Sequence, residues 1–181
     1  MKVGLVRHFK VLQEYRNFKW VRSSEFNEWQ ESYDTADIEP GNPGSVKDNW
    51  DICFSSDLPR AVKTAEYIYK GEIIKTHLLR EISVRSFVRG NIKLPFLVWT
   101  ILARIAWFFS HKSQPEGRVS TKKRVEEFVS RALSCNKPNI LVVSHGALMW
   151  VIRKELINRG FKGKRFLKVP NGALYVYKRR A

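Results

Sequence analysis

Acidic side chains are scarce in this chain. Its 181 residues hold 17 Asp and Glu against 33 Lys and Arg, a formal charge of +16. No carboxylate stands within five residues of the adjacent Arg7 and His8 in the stretch LVRHFK, which excludes a local ion pair as the reason for that dipeptide. Cysteine is scarcer still. Cys53 and Cys135 are too few for a disulfide framework and lack metal-ligand spacing, which excludes a stapled mini-domain and a zinc site and points to a reducing compartment. Long apolar runs are also missing. The opening MKVGLVRH has only a few apolar residues after Lys2, far short of a signal-peptide core, so a cytoplasmic location is expected. The longest apolar stretch, LPFLVWTILARIAWFF at 94–109, is shorter than the roughly 20 residues of a membrane span and is interrupted by Arg104.

The abundant positive charge favours anionic ligands, nucleic acid or acidic membrane without choosing among them. It is unevenly spread: residues 23–46 carry six acids and no Lys or Arg, whereas 159–181 carry eight basic residues and no acid. Most of these side chains are expected to form solvated faces.

Apolar patterning predicts a strand in KVGLV at 2–6, ending at Arg7 and His8, and a second strand in DICFSS at 51–56. A helix follows in PRAVKTAEYIYK, with Pro59 in its opening turn. EIIKTHLLREI at 72–82 is a third strand candidate carrying Glu81 near its end. STKKRVEEFVSRAL at 120–133 predicts a helix capped by Ser120 or Thr121. The strand, turn and helix order recurs in NILVVSHGALMWVIRKELI at 139–157, with His145-Gly146 at the junction, and GALYVYK at 172–178 predicts a last strand. Residues 23–50 read as a long loop with one short helix. Alternating strands and helices predict an α/β three-layer sandwich with a mainly parallel central sheet. Ligand sites in such sheets lie beyond the carboxyl ends of the strands. That rule places Arg7-His8, the turn from Ser55 to Arg60, Glu81 and His145-Gly146 on one rim.

Four segments in this order, LVRHF, SSDLPRAVKTAEYI, LLREI and ILVVSHGAL, resemble the histidine phosphatase superfamily, whose fold is phosphoglycerate mutase-like. The resemblance implies a single domain over 1–181 with a short helical cap insertion at roughly 83–119. It also implies a phosphorylated small-molecule substrate, no metal and no organic cofactor. A phosphoryl group carries its charge on three equatorial oxygens, so its transfer rests on positioning and neutralisation. Arg7 and Arg60 would supply forked donors to those oxygens. His8 would be the in-line nucleophile, one ring nitrogen attacking and the other fixed by a hydrogen bond. His145, protonated or donating, would stabilise the transferring group, with the Gly146 and Ala147 N–H groups at a helix start aimed at the anion. Glu81 would protonate the leaving oxygen and then activate water. Each has a duller alternative: Arg7 or Arg60 as a surface charge, Glu81 as a salt-bridge partner of Arg80 or Arg85, and Ser55 and Ser56 as turn formers.

The chain departs from the family pattern after His8. Phe9 replaces the usual glycine, which permits close approach of backbone to phosphate, so its ring is expected to swing outward or to narrow the leaving-group side. Val11 stands for the following threonine and Glu14 for a later asparagine, while Lys10 is read as substitute positive charge at the substrate. The interval between Glu81 and His145 is short for a mutase that must turn over a bisphosphorylated intermediate, so a phosphatase is expected, with mutase-type phosphotransfer as its alternative. In the insertion, 94–109 is expected to pack as an apolar cap helix with Thr100 and Arg104 facing solvent. The other reading makes a surface of Phe96, Trp99, Trp107 and Phe108 with Arg85, Arg89, Lys93 and Lys112, for an apolar substrate portion, a partner or a membrane face. The rival from another class is a non-catalytic phosphate- or anion-binding module whose basic C-terminal stretch docks nucleic acid or acidic lipid. Phe161, Phe166, Tyr175 and Tyr177 interleave with basic residues there, but the tyrosines read as strand core. Substrate identity and oligomeric state are open.

Overall fold

A computed structural model describes residues 1–13, 19–41, 46, 49–88, 90 and 92–180. Glu14, Arg89 and most of the EPGNPGS stretch, to which expectations attach, lie outside the described residues. In chain order the elements are β1 (Lys2–Arg7), β2 (Trp20–Arg22), α1 (Ser23–Thr35), β3 (Ile52–Ser56), α2 (Pro59–Ile68), β4 (Ile73–Thr76), β5 (Lys93–Pro95), α3 (Phe96–Phe108), α4 (Arg118–Ser134), β6 (Asn139–Ser144), α5 (Gly146–Asn158), β7 (Lys162–Gly163) and β8 (Leu174–Lys178).

A six-stranded sheet runs in the order β4-β3-β6-β1-β8-β7. Its first four strands are parallel, with β3 against β4 and β6, and β6 against β1. The last two, β8 and β7, are antiparallel. The central strands read as continuous apolar runs because both faces are covered. Leu5, Phe54, Ile140 and Val142 face one layer, with Val125, Phe128 and Val129 of α4 and Leu148 and Ile152 of α5. Val6, Cys53, Leu141 and Val143 face the other, with Ala61 and Ala65 of α2. The period-2 alternation of the strands thus sorts side chains to two helical layers, and the expected three-layer sandwich is what forms.

Two local expectations are corrected and a third is made definite. The third strand stops at Thr76 and passes into a 3-10 turn, His77–Leu79, whose start is capped by Thr76 Oγ1 accepting from the Leu78 N–H. Helix α4 begins earlier than Ser120: Gly117 is its N-cap, and Ser120 Oγ reaches back to accept the Gly117 N–H. The short helix expected within 23–50 is α1, 13 residues at the start of that stretch, secured by Glu25 accepting the Arg22 N–H.

The cap is built from two segments distant in sequence, 20–35 and 93–108. Strand β5 pairs antiparallel with β2, and α3 packs on α1 through Val21, Phe26, Trp29, Phe96, Trp99 and Ala103. Trp99 closes this small core by donating its indole N–H to the Val21 carbonyl at 2.9 Å.

Candidate active site

Strands β1, β3 and β6 end side by side, and each delivers a polar group to the same rim. The His8 N–H donates to the Ser144 carbonyl at 3.0 Å, extending the β1–β6 ladder one step beyond the strands. His145, the N-cap of α5, brings its ring centroid to 5.1 Å from that of His8, the planes tilted by 55°. Arg60 enters from the first turn of α2, where Pro59 opens the helix.

His8 is almost wholly buried and its Nδ1 lies 2.6 Å from the Phe9 carbonyl. A carbonyl can only accept, so Nδ1 carries a proton and the lone pair is left on Nε2. Burial, then the charges of Arg60 and Arg7, hold the His8 pKa down to about 3 against the opposing pull of the Phe9 carbonyl. The imidazole is therefore neutral near pH 7, the form a nucleophile needs. The backbone around it is clamped: Asn171 Nδ2 donates to the His8 and Phe9 carbonyls at 2.8 and 3.2 Å, and the Phe9 N–H donates to Thr64 Oγ1 at 2.9 Å. His145 is fully buried, and its pKa is also driven well below the ordinary value, by burial first and then by His8, Arg60 and Arg7. Its Nε2 lies 2.9 Å from Ser56 Oγ.

Both arginines are tethered at one end. Arg7 Nη1 donates to the Val169 carbonyl at 2.7 Å. Arg60, 1% exposed, uses Nη1 for the Tyr33 carbonyl at 3.1 Å and Asp34 Oδ1 at 3.0 Å, and lies 5.0 Å from the centre of the Tyr33 ring. Neither is a surface charge. Three buried nitrogens of the cluster, Arg7 Nε, Arg60 Nε and His145 Nδ1, have no hydrogen-bond partner among the described residues. A buried donor left unpaired costs about 1–3 kcal/mol; the two arginine nitrogens are such donors, and an acceptor from outside the chain would satisfy them.

Glu81 makes no ion pair with Arg80 or Arg85. Arg80 takes Asp57 in a two-pronged pair at 2.7 Å, and Arg85 takes Glu31. The Glu81 carboxylate instead sits over the start of α5, accepting from the N–H groups of Leu148 at 3.1 Å, Ala147 at 3.3 Å and its neighbour Ile82 at 2.9 Å. An acid there is favoured by the helix dipole. Its loop is pinned by Arg124, which donates to the Leu78 and Arg80 carbonyls, and by Ser144 Oγ, which donates to the Leu79 carbonyl.

This arrangement corrects three sequence expectations. The Ala147 N–H is engaged by Glu81, so the helix start serves the acid, while Gly146 lies beside the Arg7 guanidinium, where even a Cβ would make only an ordinary contact at 3.4 Å. Lys10 points away: it pairs with Glu39 at 2.9 Å with 74% of its side chain exposed, on a bridge between Val11 and Ile38. Phe9 neither swings outward nor narrows the site. It is buried edge-on to Tyr67, where a Cβ on Gly41 would come within 2.7 Å of its ring and one on Gly172 within 3.0 Å. Two glycines elsewhere thus make the room that the missing glycine at position 9 gives up.

Above the rim lies a cavity of about 330 Å³ walled by Arg7, Arg60, Glu81, Tyr33 and, from the cap, Thr100 and Arg104. A more open hollow of about 580 Å³ continues past Arg7, Glu81 and Arg104 to Trp150 and Lys168. Thr100 and Arg104 face these cavities, not solvent. Sequence reasoning missed Tyr33, Asp34, Asn171 and Arg104. For Asp34 one signal existed: the acid-rich, cation-free stretch 23–46 is a natural source of a counter-charge for a buried arginine. Among the described residues no group of His, Cys, Asp or Glu is arranged to hold a metal ion.

Two arginines, two histidines and an acid thus gather on one rim of an α/β sandwich, an arrangement suited to holding an anion. The model for the histidine phosphatase superfamily (branch 1) matches residues 45–181, and the chain belongs to that family. No curated protein matches it. Similar solved structures include a protein of Escherichia coli K-12 assigned as an α-ribazole-5'-P phosphatase, with 18% identity over 97% of this chain and 89% of that one and a TM-score of 0.63. The open reading frame Rv3214 of Mycobacterium tuberculosis is 14% identical over 97% and 89%, with a TM-score of 0.61. A phosphoserine phosphatase of Entamoeba histolytica, solved with 3-phosphoglyceric acid, is 18% identical over 97% and 89%, with a TM-score of 0.56. At these identities the likeness is one of fold.

Proposed function

We propose that this protein is a phosphomonoester hydrolase acting through phospho-His8 on a small phosphorylated molecule. The observation that carries this reading is the convergence of three unpartnered buried nitrogens, Arg7 Nε, Arg60 Nε and His145 Nδ1, beside a neutral His8. A phosphoryl group has three equatorial oxygens to offer them. In this reading Ser56 Oγ, which accepts the Leu58 N–H and lies 2.9 Å from His145 Nε2, donates its proton to that nitrogen. The one N–H of the neutral ring then sits on Nδ1 as a donor.

In the first step the Nε2 lone pair of His8 bonds to phosphorus as the ester P–O bond breaks. The leaving oxygen takes the proton of Glu81, which must enter the cycle protonated. In the second, Glu81 takes a proton from water as the water oxygen bonds to phosphorus and the N–P bond breaks, returning His8 and inorganic phosphate. Phe9 holds Nδ1–H throughout and so keeps the attacking nitrogen in line. The cap supplies the leaving-group side: Arg104 and Thr100 favour a substrate whose remainder carries hydroxyl or anionic groups.

Initial rates on a panel of phosphate esters, with wild type, His8→Ala and Arg104→Ala, test the reading. Turnover of at least one ester by wild type and none by His8→Ala is expected. Tight, saturable binding of inorganic phosphate with no hydrolysis of any ester would replace the hydrolase with an anion-binding module. Recovery of an isomerised phosphoester would make it a mutase.

A further inference from the structure

We propose that the outer face of α3 docks this protein on an anionic lipid bilayer, with the helix lying in the interface. Leu97, Ile101, Ile105 and Phe108 recur at helical spacing and are 43%, 49%, 49% and 48% exposed, and Phe109 follows at 75%. Single exposed apolar residues are ordinary, but a continuous stripe on one helix marks a contact surface. The rest of the helix is already used: Phe96, Trp99 and Ala103 pack on α1, and Thr100 and Arg104 line the catalytic cavity. Neither task requires the exposed stripe to be apolar. Of the four aromatics named in the sequence reading as surface, Phe96 and Trp99 are buried and Phe108 is exposed, so the exposed face shares only part of that set.

Charge selects the occupant. Lys93 precedes the helix, Lys112 and Arg118 follow it, and Lys19 and Arg22 flank the exposed Trp20 on the paired strand. None of these five cations has an ion pair among the described residues. The Arg118 guanidinium lies 4.5 Å from the centre of the Phe108 ring, joining the basic rim to the apolar stripe. A second copy of this chain would bring the same cations and a net charge of +16 against themselves, an arrangement that repels. Acidic headgroups supply the opposite sign, and an apolar helix face with a cationic rim is the pattern of an interfacial helix. No described helix is long and apolar enough to cross a membrane. Because α3 also presents Arg104 inward, docking would set the catalytic cavity beside the bilayer surface.

The test is cosedimentation of the full chain with vesicles of phosphatidylcholine alone and of phosphatidylcholine mixed with phosphatidylglycerol. Wild type should pellet with the anionic vesicles, less so at high salt. The double variant Ile101→Asp, Ile105→Asp should lose about tenfold or more of that partitioning while keeping wild-type circular dichroism and melting temperature. Wild type left in the supernatant with anionic vesicles overturns the proposal. So does equal binding of the double variant, which would assign binding to net charge alone. A wild-type dimer in lipid-free buffer that the double variant converts to monomer would make a second copy the occupant and also overturn it.

Discussion

At the strand ends Arg7, His8, Arg60 and His145 are held by carbonyls, a serine hydroxyl and an aspartate, in a setting so buried that both imidazoles stay neutral. The cap above them is held by aromatic packing, Phe26, Trp29, Phe96 and Trp99 in mutual contact, and lends the cavity only Thr100 and Arg104 as polar groups from α3. The rim holds its groups by directional hydrogen bonds, as the positioning in phosphoryl transfer demands. The cap shapes a volume. In this account the rim sets kcat and the cap sets which leaving group is held.

The largest expected effect is at the nucleophile. His8→Ala should lower kcat by about 10⁴-fold or more, whereas Arg104→Ala should raise KM by about tenfold with kcat nearly unchanged; steady-state kinetics on one ester would separate the two. Equal effects on kcat would erase the division between rim and cap. Next, Arg60→Lys keeps the charge but not the fork, and should cost about 10²-fold in kcat. Removing the ring at position 9 strikes the scaffold of the rim: Phe9→Gly should destabilise by about 3–5 kcal/mol in urea denaturation because Tyr67, Gly41 and Gly172 all lie against that ring.

The pH dependence of stability follows from the same burial. The folded-state pKa of His8 lies near 3 and the unfolded value near 6.5, and His145 shifts in the same direction. As pH falls below about 6.5 the unfolded chain takes up protons that the folded chain refuses, so stability is lost from there downward until the folded pKa is reached. For His8 alone this amounts to about 2 kcal/mol between pH 7 and pH 5. Urea midpoints at the two pH values should fall further apart for wild type than for His8→Asn. The smallest effect belongs to Lys10→Ala, which should leave KM within about twofold because Lys10 pairs with Glu39 at the surface.

Much of the rim was legible because its residues sit where simple rules put them: a polar pair ending an apolar run at Arg7-His8, a proline opening a helix beside Arg60, and a histidine before a glycine at the start of α5. What escaped was whatever depends on distant chain segments meeting. Nothing local to Glu81 says that its carboxylate will cap α5, and nothing local to Phe9 says that Gly41 and Gly172 will lie against its ring. The cap was half visible: its apolar helix was plain, but which stripe faces the cavity depends on α1 and β2, and the stretch that holds α1 reads as a loop with one short helix because it is polar, with little apolar periodicity.

The most direct test of the account is to trap the intermediate. Wild type incubated with a labelled phosphodonor and quenched should carry one acid-labile, alkali-stable phosphoryl group on His8, and His8→Ala should carry none. Label on His145 or on a serine, or equal labelling of the variant, would contradict the assignment of the rim.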